Sequence, residues 1–462
     1  MLSKEDNELV TNTDPESPMG DLFRRFWLPV ALSEELPGPD SEPVRVRALG
    51  EDLIAFRDTE GRVGLFDAFC PHRGAPLFFG RNEENGLRCV YHAWKFDVTG
   101  QCVDLPNAPE GETFKQKVKA VAYPVVEAGG LIWAYMGPSD KQPPFPDFPW
   151  TKLPASHRYV TKFRLECNYL QAMEGDYDPT HARFLHSTFM PANETFGMAQ
   201  GTYYRSPSNR GWNNTNPDEP YPKVVGDRRI TDNNAPYPSL EDYDAAVLSV
   251  SRMEQGDGNV TASVGVTWWM PVFCTAGNAM PGHLSSNMRV PIDNESVMFY
   301  RLRWSWNPIS EADLAEYKHG GWTHPEMIPG SWKTKDNVFN DYNVDRLAQK
   351  NMSFTGIKTF PLQDIAMMEN QWGPIAKRHK EHLATSDYQI IHIRRRLIKA
   401  AKALMQGQEP EEPWKPEIYH MHRETATART AEEAIAAAKE KAQVDLFSKR
   451  EEAPSVLAGQ IA

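Results

Sequence analysis

Cysteine is scarce in this chain: Cys70, Cys89, Cys102, Cys167 and Cys274 are the five in 462 residues. So few thiols are expected as metal ligands or as buried apolar residues in a reducing compartment. An excess of positive charge is also missing. Fifty Lys and Arg against 62 Asp and Glu leave a formal charge of −12, without the basic face that binding nucleic acid requires. No run approaches the ~18 uninterrupted apolar residues of a membrane-spanning helix, so no membrane partner is expected. The start, Met1-Leu2-Ser3-Lys4-Glu5-Asp6, has no basic stretch leading into an apolar one. No secretory leader is therefore expected, and the cytoplasm is the expected location. No G-x-G-x-x-G opens a βαβ unit, so a nicotinamide or flavin domain is not expected within the chain. Internal repeats are absent too.

What is present is apolar material for large cores. Hydrophobic residues make up 40%, with 13 Trp, 16 Tyr and 21 Phe. The length predicts two or three units. A basic aromatic patch at Phe23-Arg24-Arg25-Phe26-Trp27 reads as a short helix within an N-terminal segment, 1–38, packed on the larger domain. Short β-like runs follow: Val44/Val46 alternate with Arg45/Arg47, then Leu53–Phe56, Val63–Phe66, Val121–Val126 and Leu131–Tyr135. They predict a small antiparallel domain over 39–137. The proline-rich stretch 138–150 cannot hold a helix or a central strand and reads as a linker. Residues 151–406 carry mixed patterns, with long strands expected at Val260–Phe273 and Val297–Trp306. A capping box at Ser386-Asp387-Tyr388-Gln389 predicts a helix through Ile398. Another helix is expected from Thr430 to about Lys449, in a C-terminal extension (407–462) that reads as peripheral or intersubunit. The fold class is α+β: a small antiparallel β domain, then a larger one built on an antiparallel sheet flanked by helices.

The chemistry concentrates in two strings, Cys70-Pro71-His72-Arg73-Gly74 and Cys89-Val90-Tyr91-His92-Ala93-Trp94. The ligand order Cys, His, Cys, His suits a two-iron, two-sulfide cluster in which one iron takes both sulfurs and the other both imidazoles. Zinc sites of the finger type place the two cysteines together and then the two histidines, so the interleaved order argues against zinc. Neutral histidines raise such a cluster's potential to roughly −150 to +300 mV.

A second cluster of ligand types, Glu174-Gly175-Asp176-Tyr177-Asp178-Pro179-Thr180-His181 with His186, lies beyond the linker. Five residues is about 140° around a helix, so the two histidines converge only where the helix distorts or ends between them. Asp178, three residues before His181, is expected on the same helical face, within reach of that ring. Two histidines need one carboxylate to complete a facial triad for Fe(II). Asp341, Asp345, Asp364 and Asp387 all compete for that place, and spacing does not choose among them.

The two cysteine–histidine strings resemble the C-x-H-R-G and C-x-Y-H-x-W loops of the Rieske family. Positions Ala75 and Tyr91 stand where the respiratory branch has its disulfide, so the likeness is to the ferredoxin and oxygenase branch. The second cluster resembles the E-G-x-x-D-x-x-H-x-x-x-x-H motif of Rieske non-haem iron aromatic-ring-hydroxylating oxygenases, alpha subunit. The runs Asn340–Arg346, Phe354–Ile357 and Pro361-Leu362-Gln363-Asp364 resemble the phthalate 4,5-dioxygenase-like subgroup. This resemblance implies cluster ligands Cys70, His72, Cys89 and His92, iron ligands His181, His186 and Asp364, and Asp178 as a bridge meeting His92 of a neighbouring subunit. It implies O2 as co-substrate and NAD(P)H electrons through a separate flavin and iron–sulfur reductase. It implies a homotrimer, or a hexamer of two trimers, without a beta subunit. The expected reaction is mono- or dihydroxylation, or O-demethylation, of an aromatic and carboxylated substrate. Trp268, Trp269, Met270, Phe273 and Arg303–Trp306 are candidate pocket residues, and Arg205, Arg228, Arg229 and Arg252 are candidates for carboxylate capture. Two other readings are an electron-transfer protein and a zinc-stabilised binding module.

Overall fold

The computed structural model describes residues 2–109, 111–178, 181–186, 239–243, 246–254, 258–275, 283–319, 323–351, 353–420 and 424–443. Two short helices come first. In α1 (Lys4–Thr11) the Ser3 hydroxyl accepts from the Asp6 amide, and α2 (Pro18–Phe23) begins on a proline whose missing N–H costs nothing there. Helix α2 stops at Phe23, and β1 (Trp27–Leu32) starts four residues on. Phe23–Trp27 is therefore not a short helix but the exit of one element and the entry to the next. All six residues of β1 are buried, so the strand shows none of the alternation that would have marked it.

Strands β2 (Val44–Ala48), β3 (Glu51–Arg57) and β4 (Val63–Asp67) form an antiparallel meander. A four-stranded sheet follows from β5 (Arg81–Glu83), β6 (Gly86–Arg88), β7 (Lys95–Phe96) and β8 (Cys102–Asp104). Strands β9 (Val125–Ala128) and β10 (Leu131–Tyr135) make a hairpin whose turn residues, Gly129 and Gly130, take φ of 66° and 81°. The far edge of β10 pairs with β1, which draws the N-terminal segment into this sheet. Ile54, Phe56, Phe66, Leu77, Leu87 and Phe96 share one small core with Cys70 and Cys89.

The proline-rich segment has only 3-10 turns, at Ser139–Lys141 and Pro149–Thr151. It is glued down by aromatics. Phe145, Phe148 and Trp150 lie 5.4, 5.8 and 6.0 Å from the Trp133 ring. Phe148 also meets Phe273 at 5.2 Å and Tyr419 at 4.5 Å.

Beyond it come β11 (Arg158–Leu165), α3 (Tyr169–Tyr177), α4 (Ala182–Leu185), β12 (Ser239–Tyr243), β13 (Ala246–Glu254), β14 (Val260–Trp269), β15 (Phe273–Cys274), β16 (Leu284–Asp293) and β17 (Ser296–Trp304). Helices α5 (Glu311–His319), α6 (Arg346–Asn351), α7 (Phe360–Met368) and α8 (Tyr388–Met405) follow, then β18 (Glu424–Ala428) and α9 (Ala431–Gln443). The strands form one antiparallel sheet in the order β11-β17-β16-β15-β14-β13-β12, with β18 also pairing β14. The chain is α+β.

Several local expectations change. Helix α8 has no side-chain cap: Asp387 accepts from the Ala384 amide at 2.7 Å, closing the 3-10 turn Thr385–Asp387, and Gln389 is buried. Ala434 and Ala438 of α9 are fully buried, so that polar-looking helix lies against the sheet through its alanines, and residues 444–449 are outside the described ones. Trp268, Trp269, Met270, Phe273 and Trp304 are sheet core. The two indoles on β14 donate to Pro271 O at 3.3 Å and Ile418 O at 3.0 Å. Arg205, Arg228 and Arg229 fall outside the described residues, and Arg252 falls in β13.

Candidate metal centres

The two cysteine–histidine strings fold into the same knuckle. Cys70 N–H donates to Ala75 O at 2.8 Å, and Cys70 O accepts from Gly74 N–H at 2.9 Å. Cys89 repeats this with Trp94 O at 2.8 Å and Ala93 N–H at 2.9 Å. Each return passes through a left-handed residue, Gly74 at φ 68° and Ala93 at 61°. Both thiols are buried and both imidazoles are half-buried. The His72 and His92 rings meet edge to face at 4.5 Å, and His72 stacks on Trp94 at 4.2 Å. Trp94 is itself fixed through Nε1–H to Asn107 Oδ1 at 2.8 Å. Burial and the adjacent Cys89 push the Cys70 thiol up to about 11. Burial, then His92 and Arg73, lower His72. Two adjacent sulfurs and two adjacent imidazoles fit a cluster that takes two ligands of each kind.

The second site assembles at a helix end. Helix α3 stops at Tyr177 and Asp178 is extended, with φ −85° and ψ 108°. Asp178 is therefore a helix C-cap and does not share a helical face with His181. It still reaches the histidine: Oδ1 accepts from the His181 amide at 3.4 Å, and Oδ2 lies 3.5 Å from His181 Nδ1. His181 opens the single turn of α4 and His186, at φ −98° and ψ 7°, closes it, so the chain leaves helical geometry at His186 and the five-residue spacing no longer forces the rings apart.

Asp364, on α7, meets both rings. Its Oδ1 lies 3.5 Å from His181 Nε2 and 3.1 Å from His186 Nε2. Among the described residues these three offer one donor atom each within 4.8 Å of one another. Ligands about 2.1 Å from a metal and at right angles stand about 3 Å apart, so two imidazoles and a carboxylate at these spacings fit a facial triad. The electrostatics agree. Burial disfavours a charged His181, but hydrogen bonds to Asp178 and Asp364 outweigh it and raise the ring to about 10. Burial likewise opposes the Asp364 carboxylate, and the His186 and His181 rings hold it far below the usual range. The site is built to keep positive charge between carboxylates.

Two of the competing carboxylates are occupied elsewhere, and the third faces solvent. Asp345 caps α6 through Leu347 and Ala348 amides at 2.9 and 2.8 Å, Asp387 closes its own turn, and Asp341 is exposed. Sequence reasoning missed three groups that hold the site in place. Gln363 Oε1 meets His186 Nδ1 at 2.7 Å. Glu174 receives Arg394 Nε at 2.6 Å and Arg378 Nη2 at 3.2 Å. A Cβ on Gly175 would come within 2.1 Å of Met368 Cε, so the end of the Met368 side chain on α7 fills the space that residue 175 leaves. Glu174 and Gly175 stand in the quoted motif, yet its pattern assigns them no role.

Residues 26–121 match the family model of the Rieske [2Fe-2S] domain, and residues 134–213 and 274–425 match that of the LigXa C-terminal domain. The phthalate 4,5-dioxygenase oxygenase subunit of Pseudomonas putida is 37% identical, over 88% of each chain. The 3-chlorobenzoate-3,4-dioxygenase oxygenase subunit of Comamonas testosteroni is 33% identical, over 87% of this chain and 89% of its own. The crystal structure of dicamba monooxygenase bound to dicamba superposes with a TM-score of 0.55 at 16% identity, covering 83% of this chain and 99% of that one, a likeness of fold. The chain belongs to the Rieske non-haem iron oxygenases as an oxygenase subunit, an oxidoreductase with a [2Fe-2S] cluster and a mononuclear iron that uses O2 and takes NAD(P)H electrons through a separate reductase.

Proposed function

We propose that Cys70, His72, Cys89 and His92 hold the cluster and that His181, His186 and Asp364 hold the iron. With these the protein hydroxylates, once or twice, or O-demethylates an aromatic carboxylate. The observation that carries this reading is the convergence of His181, His186 and Asp364 in the same chain as two matched cysteine–histidine knuckles. An electron carrier or a zinc module has no use for the second site. The metals supply O2 binding and electrons; the protein's part is to aim the ligands and exclude water.

A carboxylated substrate is supported by two relatives whose names specify phthalate and 3-chlorobenzoate. It is also supported by charge. Arg301 and Arg303 are buried on one face of β17, beside the Asp176–Arg289 pair, and Arg301 senses the Asp364 charge. Guanidinium groups suit bidentate carboxylate binding.

In the working assembly, a trimer or a pair of trimers, His92 of one copy meets Asp178 of the next, and Asp178 joins it to His181. Support comes from partial exposure of Asp178 (21% of its side chain) and from an exposed apolar rim at Phe69, Phe79, Val90 and Tyr91 around the knuckles. The reductase is of the flavin and iron–sulfur type, and the protein is cytoplasmic. A cluster unit ends near residue 137, the 138–150 segment joins it to the iron domain of 151–406, and β18 and α9 of the C-terminal extension pack on that domain's sheet.

Aerobic incubation of the red-brown protein with NADH, a generic reductase and a panel of aryl carboxylates and aryl methyl ethers tests the reading. O2 uptake coupled to a hydroxylated or demethylated product is expected for one or more carboxylates. A colourless zinc protein from iron-replete cells, or coupled turnover only of uncharged aromatics, overturns the ligand assignment or the substrate class respectively.

A further inference from the structure

Gln363 precedes Asp364 on α7, and its side-chain amide spans two partners. Oε1 lies 2.7 Å from His186 Nδ1, and Nε2 lies 2.8 Å from the carbonyl oxygen of Ile357. A backbone carbonyl can only accept, so the amide NH2 must be the end that faces Ile357. The amide oxygen is thereby turned to the histidine, and it too can only accept. His186 must donate from Nδ1, which leaves the lone pair of the neutral ring on Nε2. Nε2 is the atom that stands 3.1 Å from Asp364 Oδ1. One main-chain oxygen thus dictates, through a side-chain amide, which nitrogen of His186 is a ligand.

The oxygen that issues this instruction is held by the contacts of its own turn. The Ile357 amide donates to Thr355 Oγ1 at 3.1 Å, and the Gly356 amide to Ser353 Oγ at 2.8 Å. The Gly356 carbonyl accepts from the Asp345 amide at 2.9 Å. Gly356 has φ 71°, and a Cβ there would come within 2.3 Å of Asp345 O, so the turn is specific to glycine. Gln363 is 8% exposed and His186 4%, which leaves little water to compete for either hydrogen bond.

We propose that Gln363 is a positioning residue that, ordered by the Ile357 carbonyl, holds His186 as the Nδ1–H tautomer and presents Nε2 to the iron. The proposal rests on the reading of His186 as an iron ligand. It makes the two histidines chemically unequal, since His181 has the Asp178 carboxylate beside its Nδ1 and His186 has a neutral amide. An anionic acceptor raises ligand basicity more than a neutral one.

The test uses full-length protein with the cluster intact and the mononuclear site emptied by chelation, titrated with Fe(II) against a coloured competitor. Gln363→Met keeps the length and removes the acceptor. Its Fe(II) affinity is expected to fall about 10–100-fold, the usual cost of losing such a partner. Gln363→Glu still accepts from Nδ1 but loses the donor to the Ile357 carbonyl, and is expected to lose less affinity than Gln363→Met. Parental affinity in Gln363→Met, or an equal loss in both variants, overturns the proposal. Should Gln363→Met not fold, a loss in Gln363→Glu alone as large as the roughly 10–100-fold expected of a missing acceptor overturns it. His186→Ala separates the two levels: full iron content in that variant sinks the ligand reading itself, whereas lost iron there with parental affinity in Gln363→Met sinks only the tautomer proposal.

Discussion

Asp176 on α3 and Arg289 on β16 form a two-point ion pair, Nε to Oδ2 at 2.8 Å and Nη2 to Oδ1 at 3.1 Å, inside the protein. Asn287 donates to the same Oδ1 at 2.8 Å, and the Phe299 ring lies 3.3 Å below the guanidinium carbon. Only one residue separates Asp176 from Asp178. The pair therefore fastens to the sheet the helix whose end carries the site.

Removing the charge at position 176 should leave the Arg289 guanidinium buried beside a neutral group. Asp176→Asn is expected to cost about 3–5 kcal/mol of stability, the range for breaking a buried pair by one partner. Denaturant unfolding measures it. A loss below about 1 kcal/mol would show that the pair is no anchor.

Glu174 gives the chain a specific acid sensitivity. Its carboxylate is buried, which works against ionisation, yet Arg378 and Arg394 hold its pKa below the ordinary value. A depressed carboxyl stabilises the fold above the unfolded value of about 4.3, and the contribution fades as pH falls through the folded value. The parent should lose stability steeply below about pH 4.5. Glu174→Gln should be weaker at pH 7 and show a flatter acid limb. Arg394 keeps Glu381 at 2.6 Å, so the cost falls mainly on Arg378, whose other side-chain partner is Asn7 Oδ1 at 3.3 Å. Parallel acid limbs for the two proteins would assign the sensitivity elsewhere.

Asp364→Ala should leave the cluster spectrum and reductase-driven cluster reduction unchanged, while most mononuclear iron and product formation are lost. Metal analysis beside the visible spectrum reads both. Full activity would return the ligand role to Asp341, Asp345 or Asp387.

The cluster loops were legible because all four candidate ligands lie within two short strings, where spacing alone constrains geometry. The candidate iron site was only half legible. His181 and His186 are close in sequence, but Asp364 reaches them through the packing of α7 on α3, which no local pattern encodes; only the family resemblance pointed to it. The expected contact of Asp178 with His181 was read on the wrong scaffold. A common helical face was expected, whereas the helix ends at Tyr177 and an extended residue delivers the carboxylate. Strand β1 was invisible because burial on both faces erases period-two alternation. Gln363 was passed over because its role depends on Ile357 turning a carbonyl toward it, a matter of backbone direction and not of composition.

Asp178 is the residue whose replacement best separates electron delivery from metal binding. Its side chain touches His181 without joining the three-atom convergence of His181, His186 and Asp364. Asp178→Asn keeps the shape but replaces a charged acceptor of imidazole protons with a weaker, neutral one. Reduction of the cluster by the reductase should proceed at the parental rate, because that step does not pass residue 178. Reoxidation of the pre-reduced cluster in the presence of O2 and substrate should slow by orders of magnitude, because the proposed link from His92 of one copy to His181 of the next is weakened. Iron content and assembly size should change far less. Rapid-mixing absorbance on the pre-reduced variant reads the reoxidation step directly. Reoxidation as fast as in the parent would leave Asp178 only the structural task of receiving the His181 amide.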